Sequence, residues 1–272
     1  MRYSAYSNTA NATTNSSYDA ATLALIAREL SPSSAALRSL IDTTIVGLKT
    51  DGVFALADAL YIRGTHESTL ACQNWIKNAH NSTLTGPPTY TPKVGFSGVT
   101  GQYINNNYTP STEADKLTLN EATVMHLFTA LPTAADQNLW GCDSVANTDY
   151  FYARYYYAAP TNRTYMLSNG TGTGARYTGL IYVNNKQGFC VRDGGNCIGY
   201  LDGTPVSTVA VSQCDSLPNY SVWELGKNGA IISTCDGVAI AASFYGGKLT
   251  ATQITSLYNR VKYFYDNVGG TF

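Results

Sequence analysis

The chain has 272 residues, a formal net charge of -1 at pH 7, and only 13% charged residues. Globular proteins usually carry about 25% charged residues, so a surface rich in hydroxyl and amide groups is expected. The near-zero charge argues against nucleic acid and anionic membranes as partners, because both are recognised through basic surfaces.

Residues 1–20 form a polar arm whose large side chains are Tyr3, Tyr6 and Tyr18. The arm lacks the apolar stretch of a signal peptide, so we expect the protein to be made in the cytoplasm without a signal of its own. It also lacks an apolar face and is too polar to fold alone. We therefore predict that it becomes ordered by contact with another chain, and that deleting it leaves a folded protein that is not assembled.

Residues 21–63 show a helical pattern. A short helix is predicted in TLALIAREL, and Pro32 ends it. A second helix follows, with Gly52 just after it. We expect the apolar run VFALADALYI to add further helical turns. The second helix presents one apolar face, formed by Leu37, Leu40, Ile41, Ile45 and Leu48.

After Arg63 the apolar period changes to two, and ten short strand candidates alternate with turn residues. Because no helices intervene to make parallel crossovers, an antiparallel β-sandwich is predicted over residues 64–248. A closing helix is expected after it. Thr250 and Gln253 have capping-box spacing, and Gly269-Gly270 ends the pattern. The apolar stripe of that helix comprises Ile254, Leu257, Tyr258, Val261 and Tyr265.

Several segments resemble a group of bacteriophage and prophage proteins. The similarity runs from about residue 36 to 270, and it includes LIDTTIVGLKTDGVFALADALYIRGTHESTLACQNWIKNA, CIGYLDGTPV, YSVWELGKNG and SFYGGKLTATQITSLYNRVKYF. The resemblance implies a mainly β protein whose domain, residues 64–272, is a concanavalin-like, laminin-G-like antiparallel sandwich of the jelly-roll type. Within it, Asp202-Gly203 has the sequence of a tight hairpin turn.

The resemblance also implies a function. It favours a non-enzymatic structural protein on the virion surface, such as a capsid decoration, head-fibre or tail-fibre component. Its partners would be other virion proteins and copies of itself. Two alternatives stay open, a glycan-binding adhesin that contacts polysaccharide of the host surface and, with less support, a glycanase.

The segment DYFYARYYYAA is the candidate for glycan binding. Strand alternation places Tyr150, Tyr152, Arg154 and Tyr156 on one face. Flat rings and hydroxyl groups can stack on a sugar and hydrogen-bond to it. The alternative is that one face belongs to the core and the other is an ordinary aromatic surface or a subunit interface.

Catalytic and metal-binding signals are weak. The nearest carboxylate pair, Glu113 and Asp115, lies in a polar loop with no apolar wall to raise a pKa. The histidines stand apart, and His126 in an apolar run is interpreted as a strand residue. The cysteines lack zinc-site spacing and no nucleotide motif is present, so neither a metal nor a cofactor is predicted. A calcium site using loop aspartates stays open, with Asp143, Asp193 and Asp236 as examples.

Cys190 and Cys197 flank a turn in GFCVRDGGNCIGYL. If Asp193-Gly194 is the two-residue turn, the two cysteines face each other at a distance that a disulfide accepts. If Gly194-Gly195 turns instead, Cys197 faces Arg192. We predict the first register and a bridge between these cysteines, and leave the pairing of Cys72, Cys142, Cys214 and Cys235 open.

Overall fold

A computed structural model describes residues 17–132, 137–144, 151–153, 185–210, 216–230 and 232–270, and the backbone of residues 149–150, 154–158 and 161–171. The helices are α1 (Ala20–Ile26), α2 (Ala35–Thr50), α3 (Ser68–Ala71), α4 (Pro110–Glu113) and α5 (Ala251–Val268). The strands are β1 (Ala57–Ile62), β2 (Thr83–Thr85), β3 (Thr89–Thr91), β4 (Gly95–Gly98), β5 (Tyr103–Asn105), β6 (Glu121–Ala130), β7 (Gln137–Asp143), β8 (Asp149–Ala158), β9 (Thr161–Thr171), β10 (Lys186–Asp193), β11 (Asn196–Leu201), β12 (Thr204–Ala210), β13 (Trp223–Glu224), β14 (Gly226–Lys227), β15 (Ser233–Thr234) and β16 (Val238–Gly246).

Two antiparallel sheets form a β-sandwich, which confirms the predicted fold class. Sheet A has the strand order β12-β11-β10-β6-β16-β4-β3, with β1 also paired to β16. Sheet B has the order β2-β5-β13-β7-β8-β9. The core between them includes Phe128, Trp140 and Phe151. Two single helical turns, α3 and α4, lie among the strands, so the expectation that no helices intervene between the strands is wrong at these two places.

Helices α2 and α5 pack on the outer face of sheet A. A second apolar core separates them from the sheet, and within it the rings of Trp75 and Phe264 meet edge to face at 5.2 Å. The predicted ends of α5 are confirmed, because Thr250 and Gln253 form a capping box and Gly269 has a φ of 81°. The closing helix therefore covers apolar surface that sheet A leaves on its outer side.

The expected helical turns over residues 57–62 are wrong, because this segment is β1. It pairs with β16, so that Leu60 lies opposite Phe244. All six of its residues are buried. Ala59 and Tyr61 face the sandwich core, whereas Leu60 and Ile62 face the core under the helices. A strand that is buried on both faces has no alternation to distinguish it from a helix.

The predicted register of the β10–β11 hairpin is also wrong. Asp193 pairs with Asn196, so the turn is Gly194-Gly195. Gly194 has a φ of 57°, and glycine at the first turn position is typical of a type II′ hairpin. Cys197 consequently lies opposite Arg192, and Cys190 lies opposite Gly199. The two cysteines do not face each other and form no disulfide with each other.

The arm is described only from Ser17 onward, so Tyr3 and Tyr6 lie outside the described residues. Tyr18 packs against the core under the helices of its own chain, and Asp19 caps α1 by accepting a hydrogen bond from the Ala21 amide. The contact of residues 1–20 with another chain stays a prediction. Among the described helices, none combines the length and apolar character that a bilayer span needs.

Candidate ligand-binding groove

The predicted tyrosine surface belongs to β8, a strand of sheet B. Its neighbours Phe151 and Ala153 point into the sandwich core, which leaves Tyr152 on the opposite face. Only 7% of Tyr152 is exposed, and the Lys227 ammonium lies 5.6 Å from its ring centroid. An open sugar platform at Tyr152 is therefore a wrong prediction, because Lys227 of β14 occupies that side of the ring. The side chains of Tyr150, Arg154 and Tyr156 lie outside the described residues.

Two of the aspartates considered for calcium binding are paired with lysines. The Asp143 carboxylate forms a buried ion pair with Lys227, and the Ala230 amide donates to its other oxygen at 3.0 Å. Asp193 pairs with Lys248 at 2.6 Å. Within the part of the chain that the structure describes, no three potential metal ligands come together.

An aromatic stack on the outer face of sheet B was not predicted from the sequence. The rings of Tyr103 and Trp223 lie 3.6 Å apart at 12°, on the neighbouring strands β5 and β13. Trp223 is buried and Tyr103 half-buried. Gly141 lies opposite both Trp223 and Tyr152 in the pairing register, and a Cβ there would approach the Cβ of Tyr152 to 2.2 Å. The stack thus packs the sheet rather than presenting an open ring.

The carboxylates Glu113 and Asp115 do not form a catalytic pair. Glu113 closes the single turn α4 by accepting a hydrogen bond from the Thr109 amide. Asp115 accepts a hydrogen bond from Lys77 at 2.8 Å, and this contact lowers the pKa of the Asp115 carboxyl. A glycosidase acid needs a raised pKa, so the environment of Asp115 is opposite to that requirement.

A buried polar network crosses the sandwich core. Arg63 Nε donates to Glu224 Oε2 at 2.8 Å, and both side chains have no solvent exposure. The other oxygen of Glu224 accepts from Asn106 at 2.8 Å, from Ser243 and from Tyr245 at 3.1 Å. Burial, and then the charge of Glu224, raise the pKa of Tyr245 well above its usual range. Because solvent cannot reach these groups, their role is to hold the two sheets together.

His126 lies in β6, which confirms its interpretation as a strand residue, and its ring joins this network. Its Nε2 lies 2.9 Å from the Tyr245 hydroxyl oxygen, and its ring stacks on Trp140 with centroids 4.4 Å apart. Since the Tyr245 proton goes to Glu224, Nε2 must be the donor. Burial lowers the pKa of His126 well below its usual value, so the ring is neutral in the folded protein.

We expect stability to fall as the pH is lowered below the ordinary histidine pKa of 6.5. The unfolded chain protonates His126 there while the folded chain does not, so protons favour unfolding by up to about 1.4 kcal/mol per pH unit. Urea unfolding at pH 7.0 and 5.5 measures this loss, and His126→Phe should show a smaller one. Equal losses of stability in the wild-type protein and in His126→Phe would show that His126 is not responsible for the pH dependence.

An open groove of about 490 Å³ lies between α2 and α5. Tyr263 on α5 lines it and is 46% exposed, so part of its side chain is open to a ligand. The volume falls within the range of small-molecule sites, about 300–1,000 Å³. The polar residues that line the groove with it are Ser34, Ser39, Thr43, His66, Lys93 and Asn267.

Several of these groups keep hydrogen-bonding capacity for a ligand. The Asn267 amide nitrogen donates to the Tyr263 carbonyl at 2.8 Å, which leaves its side-chain oxygen as an acceptor. His66 Nε2 lies 2.8 Å from the Ser31 carbonyl and must therefore donate. His66 Nδ1 is buried and has no partner among the described residues. Thr43 donates its proton to the Ser39 carbonyl at 2.9 Å, so its oxygen can still accept.

The groove could not be read from the sequence because its walls are distant in the chain. A weak signal exists, since Ser39 and Thr43 on α2, and Tyr263 and Asn267 on α5, have i, i+4 spacing and so share a helix face. The spacing does not reveal that these two faces adjoin. Their proximity depends on both helices packing on sheet A.

No protein family model and no curated protein matches the sequence. Solved structures match in fold. A mutant of Trypanosoma rangeli sialidase displaying trans-sialidase activity is 13% identical, with a TM-score of 0.55, over 86% of this chain and 40% of that chain. Trypanosoma rangeli sialidase with 2,3-difluorosialic acid is 12% identical, with a TM-score of 0.51, over 81% and 38%.

A chain of botulinum neurotoxin type C, a toxin whose cell entry is described as dependent upon interaction with two ganglioside molecules, is 11% identical. Its TM-score is 0.50, over 76% of this chain and 52% of that chain. This protein thus spans about two fifths of the sialidase chains and about half of the toxin chain. At these identities the likeness shows the fold alone, a β-sandwich, and none of these three structures is described as a phage protein.

Proposed function

We propose that this protein is a non-enzymatic glycan-binding module that holds a saccharide in the groove between α2 and α5. The observation that carries the proposal is the exposed ring of Tyr263 inside that groove, surrounded by hydroxyl, amide and imidazole groups. A sugar presents C–H groups on its faces and hydroxyls at its edge. It therefore needs an aromatic surface beside mixed donors and acceptors.

The proposal agrees with what is described for proteins of similar fold. The neurotoxin chain is described as interacting with gangliosides, which carry sugars, and one sialidase structure holds a sialic acid derivative. Those contacts belong to those proteins and identify no residue of this chain. They support glycan binding as a use of the fold, and they also keep a glycanase as an alternative. The environments of Glu113 and Asp115 favour binding over hydrolysis.

The virion-surface role and location implied by the sequence resemblance stay a prediction. The structural comparisons support the adhesin alternative better, since the similar structures are glycan-active or ganglioside-interacting proteins. Both roles are compatible in one protein, because an adhesin can be a surface component of a particle. Locating this protein in intact particles by immunogold labelling would test the virion role.

Binding should depend on the Tyr263 ring. On a glycan array followed by calorimetry with a bound saccharide, we expect Tyr263→Ala to weaken affinity by about tenfold or more. Loss of an aromatic surface covered by ligand costs about 1.5–3 kcal/mol. Tyr263→Phe keeps the ring and should retain most of the affinity.

Val206→Ala provides the matched control, because Val206 is 49% exposed on β12 and does not line the groove. Thermal melts should show that all three variants stay folded. Full affinity in Tyr263→Ala, or no saccharide bound by the wild-type protein, would contradict the proposal.

A further inference from the structure

Lys93 is the one permanently charged residue among the described residues that line the groove. Lys93 is exposed there, and no ion pair of the described residues includes it. The described lining residues include neither aspartate nor glutamate. Groups that line a groove set the sign of charge it attracts.

The N-terminus of α2 and the C-terminus of α5 also contribute partial charges near the groove. Ser34, the N-cap of α2, lines the groove together with Ala36, so the partial positive end of a 16-residue helix faces it. Lys93 Nζ lies 3.3 Å from the place of a Cβ on Gly269, at the partial negative end of α5. The partial negative end of α5 offsets only part of the Lys93 charge, so Lys93 leaves a positive group on the groove wall.

His66 adds a directional group to this charge. Its Nε2 is committed to the Ser31 carbonyl, which fixes the ring, and its buried Nδ1 has no partner among the described residues. Such an atom needs a hydrogen-bond partner.

From these groups we infer that the groove selects acidic saccharides, in which a uronate carboxylate pairs with Lys93 while the sugar ring stacks on Tyr263. This inference rests on the proposed glycan binding and adds the class of ligand. A neutral sugar would leave Lys93 without an anionic partner. A carboxylate supplies a charge-assisted hydrogen bond.

The test uses two probes that differ only in the carboxylates, digalacturonic acid and its carboxyl-reduced form. In calorimetry at 50 mM NaCl, the affinity for the acid should exceed that for the reduced form by about tenfold or more, as expected for a hydrogen bond between charged groups. Lys93→Met should reduce this preference to within about twofold. Lys262→Met is the matched control with the same change of charge, because Lys262 pairs with Asp266 on α5 and does not line the groove.

Equal affinity for the two probes, or an unchanged acid preference in Lys93→Met, would overturn the inference. If binding of either probe still requires Tyr263, the proposed glycan binding survives that result. Loss of the preference in both lysine variants would also overturn it, since net charge rather than Lys93 would then be responsible. No binding of either probe, with other saccharides bound through Tyr263, would exclude uronate selection while leaving glycan binding intact.

Discussion

Replacing Glu224 with glutamine is expected to lower the free energy of unfolding by about 3–5 kcal/mol, because it leaves the Arg63 guanidinium uncompensated in the sandwich core. Arg63 and Glu224 have no solvent exposure, and their contact joins the end of β1 in sheet A to β13 in sheet B. The hydrogen bonds from Asn106, Ser243 and Tyr245 to residue 224 would also lose their negatively charged acceptor. Urea unfolding followed by tryptophan fluorescence measures the change.

An exposed pair provides the comparison. Asp266→Asn removes the partner of Lys262 on the surface of α5 and should change stability by less than about 0.5 kcal/mol. The double variant Arg63→Met with Glu224→Leu should be more stable than the sum of the two single changes predicts, since it removes both buried charges. A loss below about 1 kcal/mol in Glu224→Gln would show that this pair does not stabilise the fold.

Asp58→Ala is expected to destabilise the fold by about 3 kcal/mol or more, because it strips several buried donors of their acceptor. Asp58 is the extra residue of a β-bulge in β1 and is itself buried. One of its oxygens accepts from the amides of Asp115 and Lys116, each at 2.9 Å. The other accepts from the Leu117 amide at 2.9 Å and the Tyr108 hydroxyl at 3.1 Å.

Asp58→Asn removes the charge but keeps the shape of the side chain. Asparagine keeps one acceptor oxygen, but its NH₂ group faces the donors that the other aspartate oxygen accepts from. We expect it to lie between wild type and Asp58→Ala in urea unfolding. Hydrogen exchange should show faster exchange of the amides of residues 115–117 in both variants. Unchanged protection of those amides would mean that Asp58 does not anchor the loop.

The parts of the fold that were predicted from the sequence have local causes. The capping box at Thr250 and Gln253 and the left-handed Gly269 depend on neighbours in the chain, so α5 could be bounded from sequence. The period-two pattern after Arg63 likewise indicated antiparallel strands. These signals operate within one turn or one strand. They can be recognised without knowing which other element packs against the helix or strand.

The wrong predictions concern places where contacts with a segment distant in the chain determine the structure. Alternation correctly separated Tyr152 from Phe151 and Ala153, but it could not show that Lys227 covers the Tyr152 ring. In the β10–β11 hairpin, Asp193-Gly194 and Gly194-Gly195 are both favourable turns, and in the register adopted the Asp193 carboxylate pairs with Lys248, 55 residues away. The Tyr263 groove was missed for the same reason, since both of its walls look like ordinary helix surfaces in sequence.

The pairing of α2 with α5 has a consequence for synthesis. The Asp51–Arg260 ion pair, 2.8 Å long, joins residues 209 positions apart. At about 5–20 residues per second, a ribosome needs roughly 10–40 s to make that stretch, during which α2 exposes its apolar stripe. A nascent chain should therefore attract chaperones through α2, and it can acquire the groove only after residue 268 has left the ribosome.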